Sequence, residues 1–111
     1  MTLHADKYLP VTAALIPSGE KAPVESTPFD FQAGKKIGAD IDAAGGYDHC
    51  FILKGVSGLR QAAKLYHPGS GRKLEIEATQ PGIQFYSGNF LDGIQGRGGK
   101  AYNIHEGLCL E

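Results

Sequence analysis

The sequence predicts an all-β fold of antiparallel strands, on three observations. Apolar and polar residues alternate over Lys73-Leu74-Glu75-Ile76-Glu77-Ala78-Thr79, which places Leu74, Ile76 and Ala78 on one face of an extended strand and Lys73, Glu75 and Glu77 on the other. No window longer than about ten residues repeats apolar residues at the i, i+3, i+4, i+7 spacing of a helix. The 16 glycines and 6 prolines are scattered along the 111 residues as turn punctuation, with no internal repeat.

Taken in chain order, Pro10, Pro17, Pro23 and Pro28 forbid long regular elements between Leu9 and Phe31, leaving short extended pieces that must lie against something else. The stretch from Ile37 to Ala44 has room for one helical turn. His49 to Lys54 is a continuous apolar run, suited to a strand covered on both faces. Leu59 to Tyr66 and the alternating strand are joined by His67-Pro68-Gly69-Ser70-Gly71-Arg72, so residues 59 to 79 read as an antiparallel hairpin. Ile83 to Tyr86 alternates and is a further strand. Residues 93 to 100, with four glycines, read as a flexible loop.

One hydrophobic core is what 111 residues can build, so a single domain spanning 1–111, complete or partial, is expected. Hydrophobic residues at 41% and charged residues at 21% exclude a disordered or fibrous chain. A net charge of -1 removes any global field that would draw the chain onto nucleic acid or an acidic membrane, and a lone Arg97-Gly98-Gly99 is no RNA-binding array. No run approaches the length of a membrane span, and Met1 to Pro10 has no basic region followed by an apolar one, so a cytoplasmic chain is expected. Cys50 and Cys109 each sit among apolar neighbours and read as small buried hydrophobes. The four histidines never pair at metal-ligand spacing and no C-x-x-C occurs, so no metal or other cofactor is expected; the glycine loop also lacks the lysine and hydroxyl of a phosphate loop.

What remains is a small set of polar residues beside strands. Asp48 opens an apolar run, where a carboxylate either caps a turn or meets a ligand. Gln80, in Thr79-Gln80-Pro81-Gly82, breaks the alternating strand just before the next one; it is either part of a tight turn or a side chain facing a cleft. Glu111 follows the apolar run at 108–110 and is either a solvated terminus or a site carboxylate. Tyr86, Phe90 and Tyr102 offer an aromatic wall for a sugar, or core packing.

Several of these segments, in this order, resemble the C-terminal part of the aldose 1-epimerase (galactose mutarotase) family. The motifs are Lys7-Tyr8-Leu9-Pro10-Val11, Leu15-Ile16-Pro17-Ser18-Gly19-Glu20, Thr27-Pro28-Phe29-Asp30-Phe31 and Gly46-Tyr47-Asp48-His49. They continue through Thr79-Gln80-Pro81-Gly82-Ile83-Gln84-Phe85-Tyr86, Ser87-Gly88-Asn89-Phe90-Leu91-Asp92-Gly93 and His105-Glu106-Gly107-Leu108-Cys109-Leu110-Glu111. The resemblance implies a partial β-supersandwich and an open cleft for aldohexoses such as galactose or glucose, whose α and β anomers the family interconverts. It implies Glu111 as the general base, Asp48 as a ligand of the sugar hydroxyls and Gln80 as a further cleft residue.

By the same resemblance, the acid histidine belongs to an N-terminal portion that nothing here matches, so the chain carries half an active site. His49 and His105 are not assigned that role. Two other readings stand beside this one: a β module that binds carbohydrate without turnover, and a fragment whose open strand edges pair with another copy. A homo-oligomer, or a partner supplying the absent half, is expected.

Overall fold

The structure, a computed structural model, describes residues Met1–Glu111. Its strands are β1 (Thr2–Leu3), β2 (Ala5–Tyr8), β3 (Ala22–Pro23), β4 (Asp48–Leu53), β5 (Arg60–His67), β6 (Arg72–Ala78), β7 (Gly82–Tyr86), β8 (Ile94–Gln95), β9 (Ala101–Tyr102) and β10 (Cys109–Leu110). A 3-10 turn at Ile37–Ala39 runs into the single helical turn α1 (Ile41–Ala44), which Gly45 ends in the left-handed conformation (φ 69°).

Two sheets carry the fold, a 5-stranded sheet in the order β10-β7-β4-β2-β3 and a 3-stranded sheet in the order β1-β5-β6. Every pairing is antiparallel. The expected hairpin over 59–79 is β5–β6, with Lys64 opposite Glu75 and their charged groups 3.3 Å apart. The proline-rich stretch contributes a two-residue strand, β3, laid against β2, and sends Val24 and Phe31 into the core.

Leu3, Ala5, Val24, Phe31, Tyr47, Phe51, Leu53, Ala62, Ala63, Ile83 and Phe85 form one buried cluster. Alternation delivers Phe51 and Leu53 from β4, and Ile83 and Phe85 from β7, to the same side. Ala62 and Ala63 are neighbours yet both wholly buried, which a regular strand covered on one face only cannot arrange. The register shifts between Gln61 and Ala63, and the bulge turns the extra residue inward. The aromatic rings interlock: Tyr47 stacks on Phe85 (5.1 Å between centroids), and Phe31 meets both edge-on.

Three expectations are corrected. The run at 49–54 is covered fully on one face only, because Cys50 and Ile52 point to the opposite, half-open side of the 5-stranded sheet. Cys109, expected to be buried, is exposed, because β10 is an edge strand; Cys50 is half-buried rather than buried. Residues 93–100 do not form a plain loop: β8 pairs with β9 in a small ribbon across a 3-10 turn at Arg97–Gly99. On the apolar face of β6, Ile76 and Ala78 pack against the core, while Leu74 is 48% exposed.

Candidate functional site

The inward positions of β4, β7 and β10 build the core, so the intervening positions share the opposite sheet face. Asp48 pairs with Tyr86, which pairs with Cys109, while Cys50 pairs with Gln84. Beyond β10, Glu111 continues the ladder: its N–H donates to the Gln84 carbonyl (3.1 Å), and the Gln84 N–H donates to the Glu111 carbonyl (2.8 Å). Asp48, Gln84 and Glu111 therefore stand on adjacent strands of one face. With strands about 4.8 Å apart, Asp48 and Glu111 are separated by two strand spacings, roughly 10 Å across the sheet, and by a two-residue offset along it, with Gln84 on the strand between them.

Asp48 does not cap a turn amide. Its Oδ1 accepts from the side-chain Nε2 of Gln84 at 2.8 Å, a contact 36 residues away in sequence. Glu111 has an exposed side chain. Gln80 lies apart from these three: Gly82 opposite Ile52 marks the far end of the β4–β7 pair, and Gln80 sits beyond it in an exposed bend. There its carbonyl accepts from Arg60 Nη2 at 2.7 Å, and its side chain has no hydrogen-bond partner.

The aromatic wall is only partly assembled. Tyr86 and Phe90 stack with centroids 6.0 Å apart, and the Phe90 N–H donates to the Tyr86 hydroxyl. Tyr102 instead lies against Gly96, where even a Cβ would meet its ring at 2.1 Å.

Neither His49 nor His105 hydrogen-bonds to the side chain of Asp48 or Glu111. His49 is a packing residue: its ring meets Phe29 edge-on at 4.7 Å, and its Nδ1 accepts from the Asp48 N–H at 3.1 Å, which puts the ring proton on Nε2. Burial pushes its pKa down, and the Asp48 charge partly opposes that. His105 adopts a left-handed backbone (φ 65°) and places Nδ1 2.9 Å from the Ser87 carbonyl, so Nδ1 carries a proton. It lines a cavity of about 800 Å³, together with the polar His67, Arg72 and Glu106 and the apolar Ile37, Ile41 and Leu65. Asp48, Gln80, Gln84 and Glu111 do not line that cavity. No group of three or more His, Cys, Asp and Glu side chains could hold a metal ion, and no helix is long and apolar enough to cross a membrane.

Sequence reading passed over Gln84. Its outward alternation between Ile83 and Phe85 was visible, but its placement beside Asp48 and Glu111 depends on β7 lying between β4 and β10.

These features define an antiparallel β-sandwich protein with an open polar face on its larger sheet. Its fold matches a GalM/aldose epimerase homologue from C. elegans with a TM-score of 0.87 at 26% identity, over 98% of this chain and 34% of that one. The sequence model of the aldose 1-epimerase family matches residues 1–111, and the chain belongs to that family. Human and bovine galactose mutarotases are each 47% identical over the whole of this chain, which covers 33% of their length. The aldose 1-epimerase of Escherichia coli K12 is 39% identical, with 34% of its length covered. The chain thus spans about a third of the length of these relatives.

Proposed function

We propose that this chain is the C-terminal third of an aldose 1-epimerase that interconverts the α and β anomers of an aldohexose such as galactose. The observation carrying the reading is the joining of Asp48 and Glu111 through Gln84 on one sheet face. An ionised carboxylate only accepts hydrogen bonds, so Asp48 suits sugar hydroxyls as donors. Glu111, exposed on an edge strand, is free to approach an anomeric hydroxyl.

In the proposed reaction, Glu111 takes the C1 hydroxyl proton while an acid histidine outside this chain protonates the ring oxygen. The C1–ring-oxygen bond breaks and C1 becomes an aldehyde. Rotation about C1–C2 presents its other face, and reclosure returns both protons to give the opposite anomer.

Polarimetry on freshly dissolved α-D-galactose tests this. The folded chain is expected to accelerate mutarotation when supplied with the remainder of the fold, and Glu111→Gln is expected to lower that rate by about 100-fold or more, as for loss of a general base. Equal rates for the two would overturn the assignment of Glu111.

A second reading is favoured by the placement of the histidines. His49 is packed among aromatic rings and His105 bonds to Ser87, and neither makes a hydrogen bond to Glu111. By itself the chain then binds carbohydrate without turning it over, and saturable galactose binding with no acceleration is the mark of that case.

A further inference from the structure

We propose that β6 is the edge on which a second copy of this chain docks, adding its own β6 antiparallel about a twofold axis at Leu74, with Lys73 of each copy facing Glu75 of the other. Asp48 and Glu111 take no part in this contact, so it stands whether or not the sugar-site reading does.

The edge is open. β6 is the outer strand of the sheet β1-β5-β6, and the main chain of Lys73–Ala78 makes no hydrogen bond outside that ladder. About half of its N–H and C=O groups therefore point away from the sheet, unpaired by this chain. Beside them Leu74 is 48% exposed and shares a groove with Ile37, Leu65 and Leu108. Charged side chains usually defend such an edge, and β6 carries Lys73, Glu75 and Glu77 on its polar face. The order of their signs decides which pairings they block.

In a twofold antiparallel pair, opposed residues share a face and each contact occurs twice, except at the axis. An axis at Lys73 sets that lysine against its own copy, and an axis at Glu75 does the same for the glutamate. An axis at Ile76 sets Glu75 against Glu77 twice. Only an axis at Leu74 opposes no like charges: Lys73 meets Glu75 twice, Leu74 meets Leu74, and Glu77 meets Gly71. Arg72 then lies opposite Ile76, where its aliphatic stem covers apolar surface.

The charges are already set for this register within one copy. Glu75 lies 3.3 Å from Lys64 and 3.5 Å from Lys73, and the Lys64 hydrogen bond, with the Lys73 charge beside it, holds its carboxyl below the usual carboxylate range. Across the dimer the polar face reads Lys64, Glu75, then Lys73 of the second copy, alternating in sign over three strands. Tyr66 of the second copy, opposite its own Lys73, ends the row.

The test is analytical ultracentrifugation of the whole chain and of its Lys73→Glu and Glu75→Lys variants, at about 0.05 M salt, where exposed charges are weakly screened. The wild type should show a monomer–dimer equilibrium. Each variant alone opposes like charges at both positions, and its dissociation constant should rise by about tenfold. Mixed in equal amounts, the variants set both glutamates of one chain against both lysines of the other, and dimerisation should return to the wild-type level; that recovery also shows that both variants fold. A wild type that stays monomeric, variants that dimerise as it does, or a mixture that fails to recover would overturn the proposal. Glu75→Lys dimerising normally while Lys73→Glu does not would move the axis to Glu75 and overturn this register. Hydrogen exchange tests the other occupant. Protection of β6 amides that appears only on adding the part of human galactose mutarotase this chain does not match, equally in all three chains, would give the edge to the remainder of the fold and overturn the second-copy contact.

Discussion

Ser87 closes the end of the β4–β7 pair by taking the Tyr47 N–H on its hydroxyl at 2.8 Å while its own N–H donates to the Tyr47 carbonyl at 2.9 Å. The same carbonyl also accepts from Asn89 Nδ2 at 3.1 Å. Tyr47 is wholly buried and Ser87 nearly so, at 2% exposure, so this polar knot lies in the core immediately before Asp48.

Ser87→Ala should therefore leave the buried Tyr47 N–H without an acceptor, at a cost of about 1–3 kcal/mol. Urea unfolding checks this through a lowered midpoint at unchanged slope. A loss under about 0.5 kcal/mol would show that the Tyr47 N–H finds another partner.

His49 gives the fold a pH dependence of definite sign. Burial holds its folded-state pKa below the unfolded value of about 6.5, so the unfolded chain takes up the proton more readily. The stabilisation is complete above the unfolded pKa and is lost as pH falls through the folded one. Melting temperature should drop between pH 7.5 and 5.5, and drop less in His49→Phe, which keeps a ring against Phe29 but cannot charge. Equal slopes for the two proteins would remove His49 from the account.

The cysteines should separate by reactivity. Cys109 is exposed on the edge strand, whereas burial pushes the Cys50 thiol up and leaves it less thiolate at neutral pH. A colorimetric thiol reagent should modify one thiol per native chain quickly, mapped to Cys109 by mass spectrometry. The second thiol should react at comparable speed only after unfolding.

Self-association is the expected behaviour of the isolated chain. Strand β6 is a free edge of the 3-stranded sheet, and the exposed Leu74 and Tyr66, at 48% and 63%, leave apolar surface beside it. Light scattering over a concentration series should show a mass above 11.8 kDa that rises with concentration. A constant monomer mass would contradict this.

Much of this protein is local in origin and was readable in the sequence. Alternation placed β6 and β7, the Pro68 to Gly71 segment turned the β5–β6 hairpin, and the prolines up to Pro28 kept the first third in short pieces. Asp48 and Glu111 stood out because each carboxylate adjoins an apolar run. Other features belong to no local window. A bulge at Gln61 to Ala63 buries two consecutive alanines, and the edge position of β10 exposes Cys109 among apolar neighbours. The partnership of Asp48, Gln84 and Glu111 requires strands 36 and 27 residues apart in sequence to lie side by side in the order β4, β7, β10. Period and turn chemistry act over a few residues, so sequence alone determined which residues face which way within each strand. Which strands became neighbours was decided by burying one common core, and the polar face exists only because that tertiary choice was made.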